Sequence, residues 1–238
     1  MRMKISAKNM KEIVEILKAL VDETKIELDE EGMKIKAIDP GHVAMATVEL
    51  SREGFVEYEV NEKNVIGIDL NKIIDFLKNI NEDIEIIVDG NKATLNAGYL
   101  SKTMALLDPG NITVPMIKNL ELPNKVVLET KELRAGIRAG ENVTDNMMIQ
   151  LSPEGLRLIA KGEEDKTELF LPKEILKELE CKSEAKSTYP MDYLLAITKP
   201  ISSENITVNL DTDRPMKIEF DICDGKGKVN YLLAPRIE

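Results

Sequence analysis

Near the middle of the chain stands Leu106-Leu-Asp-Pro-Gly-Asn-Ile-Thr-Val-Pro-Met-Ile-Lys-Asn-Leu-Glu-Leu-Pro123. Its three prolines and its Pro-Gly pair exclude a long helix and disfavour a central strand, because proline lacks a backbone donor and fixes φ. The stretch is nevertheless too apolar for a solvated linker: it contains Ile112, Val114, Met116, Ile117, Leu120 and Leu122. We therefore expect an extended connector that lies on a protein surface and joins two larger pieces.

The pieces on either side of this connector carry the same pattern. Leu28-x-x-x-Gly32-Met33-x-Ile35-x-Ala37 returns 123 residues later as Leu151-x-x-x-Gly155-Leu156-x-Leu158-x-Ala160. A helical pattern precedes each copy, residues 82–89 resemble residues 204–211, and Leu-Leu-x-Pro closes both halves, at 106–109 and 232–235. Four features that occur in the same order in both halves indicate a duplicated domain. The sequence predicts an N-terminal domain over 1–107, the connector over 108–124 and a C-terminal domain over 125–238.

Hydrophobic periodicity predicts the elements of each half. Apolar residues recur at helical spacing over 9–21, 69–80, 131–142 and 191–199, which predicts four helices. Alternating runs predict strands over 1–7, 25–28, 32–38, 44–50, 55–60, 84–88 and 93–97, and in the second half over 147–151, 155–160, 167–171, 206–210, 217–222 and 227–233. Helices with one apolar face must cover one side of a sheet. We expect an α+β protein of two similar domains, each with two helices packed on antiparallel sheets.

Glycines on the third helix add a packing prediction. Gly136 and Gly140 fall on the inward face of that helix. Glycine weakens a helix, so its presence there indicates close packing against the sheet.

The composition is that of a globular protein, with 43% hydrophobic residues, 32% charged residues and a formal net charge of −11. This charge argues against a generic nucleic-acid binder with a basic surface throughout, but it allows a few cations gathered on one face. No apolar run approaches the roughly 18 residues of a membrane span, and we expect neither a signal peptide nor a membrane partner. Cys181 and Cys223 lack the neighbours of a zinc site, so we expect reduced thiols in a cytosolic protein.

Residues suited to catalysis are scarce. His42 is the only histidine, neither cysteine has a catalytic setting, and no phosphate-binding glycine loop occurs. Asp211-x-Asp213 and Asp29-Glu30-Glu31 could hold a divalent cation, but both fall in predicted turns, where acidic residues usually stay solvated. The sequence favours a protein that is not an enzyme and that needs no metal or cofactor. A metal-dependent nuclease built on the acidic turns ranks third among the functions considered.

Cations mark the outward faces of the four helices. Taken one helix at a time, a solvated face is the ordinary interpretation of surface lysines. Because both halves repeat the arrangement on an acidic chain, we favour a common cationic surface. The cations are Lys11 and Lys18 on the first helix, Lys78 on the second, Lys131, Arg134 and Arg138 on the third, and Lys199 at the end of the fourth.

Four segments resemble the sliding clamps of archaea and eukaryotes, the proliferating cell nuclear antigen family. They are Tyr231-Leu-Leu-Ala-Pro-Arg-Ile-Glu238, Ala37-Ile-Asp-Pro-Gly-His-Val43, Leu120-Glu-Leu-Pro123 and Tyr193-Leu-Leu-Ala-Ile-Thr-Lys199. The similarity runs from the first helix to the last residue, with both halves in order. The C-terminal octapeptide is highly specific, whereas basic helices alone would not be. An archaeal source is expected, and with it a cytoplasmic, nucleoid-associated location.

The resemblance implies a homotrimeric ring that encircles double-stranded DNA of any sequence, confers processivity on the replicative polymerase and recruits replication and repair proteins. Helices would line the hole and sheets would form the outer wall. The expected partners are the DNA polymerase, the clamp loader, a flap endonuclease and a ligase. They would bind through a short peptide with a Gln-x-x-aliphatic-x-x-aromatic-aromatic core. The DNA-facing positions that the resemblance implies are Lys18, Lys78, Arg138 and Lys199, with Lys11 also fitting.

The resemblance also implies a partner-peptide pocket beneath the connector. As a lone histidine His42 would ordinarily be a packing or turn residue, but in this loop it is expected to line the pocket without transferring protons. Leu232 stands where animal clamps carry an aromatic residue, which puts the peptide preference in question. The pocket is expected to comprise Ile38, His42, Val43, Leu120, Leu122, Pro123, Pro215, Leu232, Ala234, Pro235 and Ile237.

Ring closure would join two sheet edges of neighbouring copies, by resemblance about 99–107 and 166–171. Asp75 beside Lys78 is expected to weaken the DNA-facing charge of the second helix. The alternative function is a clamp-fold interaction scaffold, or one subunit of a heteromeric ring, that does not encircle DNA alone. Two complementary edges within one chain favour the homotrimer.

Overall fold

The computed structural model describes residues 1–114 and 120–236. The chain divides into two compact units. The first unit consists of Met1–Pro40, Ala46–Pro115 and Asp221–Val229, and the second of Gly41–Met45, Met116–Phe220 and Asn230–Glu238. Each unit therefore takes a short segment from the other half of the sequence.

The first unit carries two helices and nine strands. Its helices are α1 (Ala7–Lys18) and α2 (Leu70–Leu77). Its strands are β1 (Arg2–Ile5), β2 (Glu23–Asp29), β3 (Gly32–Ile38), β4 (Ala44–Ser51), β5 (Glu57–Glu59), β6 (Asn64–Asp69), β7 (Ile84–Asp89), β8 (Lys92–Ala97) and β9 (Leu100–Ala105). An antiparallel sheet has the order β5-β1-β7-β8-β9, and β4, β3, β2 and β6 are successive neighbours in another.

The second half of the sequence, most of which forms the second unit, repeats this plan, although its Asp221–Val229 belongs to the first unit. Its helices are α3 (Thr130–Gly140) and α4 (Met191–Thr198). Its strands are β10 (Asn124–Glu129), β11 (Asn146–Ser152), β12 (Gly155–Lys161), β13 (Lys166–Pro172), β14 (Glu178–Glu180), β15 (Ala185–Pro190), β16 (Asn205–Leu210), β17 (Met216–Ile222) and β18 (Gly227–Leu233). One sheet has the order β13-β12-β11-β15, and β14, β10, β16 and β17 are successive neighbours in another.

The element order confirms the duplication. One strand, a helix, five strands, a helix and three strands follow one another from β1 to β9 and again from β10 to β18. The predicted α+β class, with two helices packed on antiparallel sheets in each domain, is confirmed. None of the helices within the described ranges is long and apolar enough to cross a membrane.

The glycines of α3 lie against the sheet as predicted. A methyl group placed on Gly136 would stand 2.8 Å from Leu169 Cδ2 and 2.9 Å from Leu158 Cδ2. On Gly140 it would stand 2.6 Å from the Cβ of Ala160. Contacts this short mean that a side chain fits only if a neighbour shifts, so glycine at these positions lets α3 approach β12 and β13.

Helix ends differ from the predictions by at most three residues. The first helix begins at Ala7 rather than residue 9 because Ser6 is its N-cap, with the Ser6 side chain accepting from the Asn9 N–H at 3.2 Å. Asp69, predicted to open the second helix, is instead its N-cap and accepts from the Asn71 N–H at 2.9 Å. The third helix ends at Gly140 rather than 142.

Four strands escaped the sequence analysis: β6, β10, β14 and β15. The strand β15 reads Ala-Lys-Ser-Thr-Tyr-Pro and holds two clearly apolar residues, and β14 is three residues long. Such segments are held by their neighbours in the sheet rather than by an apolar alternation of their own.

The connector is irregular wherever it is described. Pro109–Asn111 forms a single 3-10 turn, and residues 112–114 and 120–123 belong to no helix or strand. The predicted surface position of Pro115, Met116 and Ile117 falls outside the described residues.

Candidate nucleic-acid interface and peptide site

Arg138 and Lys199 are the most available cations of the second unit. On α3, Leu133 and Ile137 are buried at 1% and 0% exposure, so Arg138 points away from the core and is exposed. Lys199 is the C-cap residue of α4 and is exposed as well. Among the described residues, neither side chain has a carboxylate partner in an ion pair. Both are therefore free to meet an external anion.

Arg134, on the same helix as Arg138, is occupied by backbone carbonyls. Its Nε donates to Thr198 O at 2.9 Å, and its Nη2 donates to Lys199 O at 3.2 Å and to Ile201 O. Burial first, and then the neighbouring cation Arg138, lowers the pKa of Arg134 from its ordinary value. Its planar fork is committed to the end of α4, so it is poorly placed for a bidentate contact to phosphate.

The cations of the first unit have partners of their own. Lys18 pairs with Asp22 and donates to Asn71 Oδ1 at 2.8 Å. Lys78 pairs with Asp75 at 2.8 Å, the neighbour that the sequence indicated. The hydrogen bond from each lysine lowers the pKa of its aspartate. An external anion must therefore compete with Asp22 for Lys18 and with Asp75 for Lys78.

Lys11 behaves like Arg134. Its Nζ donates to Ile80 O, just beyond α2, at 2.6 Å, and its side chain is half-buried. Lys131, by contrast, is exposed and pairs with Glu129 at 2.6 Å. Two of the seven outward cations predicted from the sequence thus bind the far ends of neighbouring helices.

Parts of the expected peptide pocket come together in the second unit. The Ala234 N–H donates to Val43 O at 2.8 Å, which places the loop at 41–45 against the C-terminal segment. The hydroxyl of buried Tyr189 donates to Arg214 O at 3.0 Å and fixes the residue before Pro215. Eight expected pocket residues of the second unit are half-exposed: Val43, Leu120, Leu122, Pro123, Pro215, Leu232, Ala234 and Pro235.

The remaining pocket residues are placed as follows. His42 is exposed and adopts φ 56°, a left-handed conformation that is uncommon for a residue with a side chain. Ile38 ends β3 and belongs to the first unit. Ile237 lies outside the described residues.

The two expected assembly edges are edge strands of their sheets. The first, β9, begins with Leu100, which is 51% exposed and follows the fully exposed Tyr99. The second, β13, carries the exposed Phe170, whose ring lies 3.9 Å beneath the guanidinium of Arg157. Arg157 also donates to Glu168 at 2.7 Å. Each edge combines free backbone groups with exposed apolar area, which suits strand pairing with another chain.

The acidic turns are engaged in local hydrogen bonds. Asp29 Oδ1 accepts from the backbone N–H groups of Glu31 at 2.9 Å and Gly32 at 3.2 Å. Asp211 pairs with Arg214 at 3.3 Å. Within the described part of the chain, no group of three or more His, Cys, Asp and Glu residues could hold a metal ion.

The sequence analysis did not find the hydrogen bonds that Lys11 and Arg134 donate to carbonyls near the ends of the neighbouring helices. The repeat offset of 123 residues relates Lys11 to Arg134 as equivalent positions, but it does not show what either side chain contacts. Helical periodicity assigns a residue to a face, but it does not say which neighbouring helix end the side chain reaches.

Comparison with known proteins supports the assignment of the whole chain. Residues 2–103 match the model of the proliferating cell nuclear antigen N-terminal domain, and residues 116–236 match that of its C-terminal domain. A DNA polymerase sliding clamp of Methanosarcina barkeri is 40% identical, over 98% of this chain and 97% of the relative.

Two solved structures share the fold over the full length. In one, the C-terminal region of FEN-1 is bound to A. fulgidus PCNA, with a TM-score of 0.94, 32% identity and coverage of 100% of this chain and 98% of that chain. The other is the PCNA2-PCNA3 complex of Sulfolobus tokodaii, with a TM-score of 0.84, 25% identity and full coverage of both chains. The chain therefore belongs to the proliferating cell nuclear antigen family.

Proposed function

We propose that this chain is a DNA sliding clamp that encircles duplex DNA, confers processivity on a DNA polymerase and recruits replication and repair proteins. The observation that carries the proposal is the repetition of one unit with two helices, each copy presenting cations on its helices. Its relatives named DNA polymerase sliding clamp support the same role. A cytoplasmic, nucleoid-associated location follows from that role.

The DNA-facing surface would consist of Lys18, Lys78, Arg138 and Lys199, with Lys11 beside it and bound to the Ile80 carbonyl. Cations that meet phosphates attract DNA of any sequence, because phosphate contacts carry no base information. The net charge of −11 would keep the duplex away from the rest of the surface. Few cations per subunit give a weak hold, so persistence on DNA must come from threading.

Closure into a homotrimer would pair β9 of one copy with β13 of the next. Their positions at sheet edges and the exposed Leu100 and Phe170 support this pairing. A head-to-tail contact between unlike edges forms a closed ring when its rotation is right.

Partner proteins would dock through a short peptide in the pocket at the connector and C-terminal segment. The similar structure with the C-terminal region of FEN-1 supports a flap endonuclease as one partner. A polymerase, a clamp loader and a ligase would use the same site. Half-exposed apolar residues such as Leu122 and Leu232 suit the apolar and aromatic anchors of such peptides. The chain would have no catalytic activity of its own.

A second candidate is one subunit of a heteromeric ring, or a clamp-fold interaction scaffold that does not encircle DNA by itself. The similarity to the PCNA2-PCNA3 complex, in which two different clamp chains meet, is the observation that favours it. The β9 and β13 edges of this chain would then meet different chains rather than copies of this one.

Native mass and DNA topology together test the proposal. We expect the purified chain to have the mass of a trimer, and a clamp loaded on closed circular DNA to stay bound until the circle is linearised. A monomer without topology-dependent retention would refute the proposal. A trimer that forms only after a second chain is added would favour the heteromeric ring.

A further inference from the structure

Each unit contains one cation that reaches from its first helix to the C-terminal end of its second. In the first unit, Lys11 Nζ on α1 donates at 2.6 Å to Ile80 O, which lies just beyond the C-terminal end of α2. In the second, Arg134 on α3 donates to Thr198 O at 2.9 Å, to Lys199 O at 3.2 Å and to Ile201 O, all at the end of α4.

These contacts occupy equivalent places in the duplicated units. Lys11 and Arg134 are separated by the repeat offset of 123 residues, and the acceptors Ile80 and Ile201 are separated by 121. The side chains differ, a single ammonium in one unit and a guanidinium fork in the other. The same contact made by two different cations indicates a requirement of the helix end rather than an accident of packing.

Each of these helix ends carries one cation of the proposed DNA-facing surface. Lys78 is the C-cap residue of α2, and Lys199 is the C-cap residue of α4. The C-terminal end of a helix holds the negative end of the helix dipole, and the single backbone N–H that Leu77 O and Thr198 O each accept, from Ile80 and Ile201, leaves that partial charge in place. Left alone, such an end would repel the phosphates that a lysine at the same place is meant to attract.

We infer that Lys11 and Arg134 are positioning residues, which neutralise the carbonyl ends of α2 and α4 and hold Lys78 and Lys199 toward the DNA phosphates. This inference rests on the proposed function. It assigns Lys11 and Arg134 an indirect role, because their side-chain N–H groups already donate to backbone carbonyls and are not available to phosphates. Lys78 and Lys199 would then make the phosphate contacts.

A double-mutant cycle between Arg134→Met and Lys199→Ala tests the inference. The readouts are the affinity for a short linear duplex at low salt and the slope of its logarithm against the logarithm of salt concentration. We expect each single variant to weaken binding by at least about twofold, the scale of one exposed charge contact. If Arg134 acts through Lys199, the double variant binds no more weakly than the weaker single variant, and its salt slope matches that of Lys199→Ala.

Three results would overturn the inference. Multiplied losses, with a salt slope that falls further in the double variant, would make Arg134 a direct phosphate contact. Unchanged affinity and slope in Arg134→Met would make its role structural only. Unchanged binding in Lys199→Ala would remove the residue that Arg134 is inferred to hold, whether or not the ring encircles DNA.

Two further arms keep the test decisive. Lys173→Met removes an exposed cation from a loop of the same unit and should leave affinity unchanged. Lys11→Met with Lys78→Ala forms an independent cycle in the first unit should Arg134→Met fail to fold. If the unaltered protein is not retained on closed circular DNA, the proposed function is wrong. If it is retained but the two substitutions weaken DNA binding independently of each other, only the inference is wrong.

Discussion

At the scale of single residues, the cations differ in what they bind before DNA arrives. Arg138 and Lys199 have no carboxylate partner among the described residues, whereas Lys18 pairs with Asp22 and Lys78 with Asp75. A paired lysine must give up its aspartate, or share it, before it can neutralise a phosphate. The second unit should therefore supply more of the electrostatic attraction.

We expect Arg138→Ala with Lys199→Ala to weaken low-salt binding to a short duplex by roughly three- to tenfold, from two exposed charge contacts of up to ~1 kcal/mol each. The double variant Lys18→Ala with Lys78→Ala should weaken binding to the same duplex by a smaller factor. Fluorescence anisotropy with labelled duplex measures both, and an unchanged native mass is the control. Equal losses, or a larger loss in the first unit, would contradict the argument.

The cysteines give a second prediction at this scale. Cys223 is 2% exposed, and burial, with Glu12 as the next cause, raises its pKa to about 12. A raised thiol pKa means that almost no reactive thiolate exists near pH 8, and burial blocks access as well. We expect a thiol reagent at that pH to label the native Cys181→Ser variant far more slowly than the urea-unfolded one. Comparable rates in the two states would contradict the burial of Cys223.

At the scale of elements, α3 lies close to its sheet, and its glycines Gly136 and Gly140 should differ in how well they tolerate substitution by alanine. A methyl on Gly136 meets the ends of the Leu158 and Leu169 side chains, which can rotate. A methyl on Gly140 meets the Cβ of Ala160, which is fixed to the strand backbone. Adding a side chain gains up to about 1 kcal/mol of helix propensity, whereas overpacking costs about 1–3 kcal/mol.

Gly140→Ala should therefore destabilise the protein by about 1 kcal/mol or more, and Gly136→Ala should be near neutral or stabilising. Urea unfolding at one fixed chain concentration measures the difference, because assembly makes apparent stability depend on concentration. If Gly136→Ala destabilised the protein more than Gly140→Ala, the argument would be wrong, and β12 would have to shift away from α3 to accept the methyl group at residue 140.

The helices and strands also show how much of the fold could be predicted from the sequence. The repeat, the four helices and the inward Gly136 and Gly140 could be read from periodicity, because a 3.6-residue spacing fixes a face. The strand β15 could not, because Ala185–Pro190 has little apolar alternation and is placed by its pairing with β11. The contacts of Arg134 could not be read either, because they depend on where α4 ends in space.

The connector supplies a prediction about peptide binding. Leu122 is half-exposed at its end, and the resemblance places it in the pocket with Ile237. Losing two apolar contacts of ~1–2 kcal/mol each should weaken a Gln-x-x-aliphatic-x-x-aromatic-aromatic peptide by tenfold or more in Leu122→Ala with Ile237→Ala.

Ile175→Ala is the matched control for this variant, since Ile175 is 58% exposed and lies outside the proposed pocket. It should leave peptide affinity unchanged. Once loaded on closed circular DNA, rings of both proteins should stay bound equally long, because threading would not depend on the pocket, whereas loading of the double variant by a clamp loader should be slower. An unaltered peptide affinity in the double variant would place the site elsewhere.

At the scale of the whole molecule, charge and topology have separate tasks. The chain carries 43 acidic residues against 32 basic ones, so DNA is repelled by most of the surface. A protein of this kind cannot hold DNA by attraction at physiological salt, where each phosphate contact weakens steeply with ionic strength. In the proposed ring, edge strands that close head to tail would supply a hold that does not depend on charge.

Salt therefore separates the two contributions. Binding of the free ring to short linear duplex should fall steeply as salt rises, with a slope of about −0.9 per phosphate contact. The lifetime of rings loaded on closed circles should change little over the same range, and rings on linear DNA should be lost unless both ends are blocked. Arg138→Ala with Lys199→Ala should keep the long lifetime on closed circles although it binds linear duplex weakly. If that variant left closed circles as fast as linear DNA, charge rather than threading would hold the clamp in place.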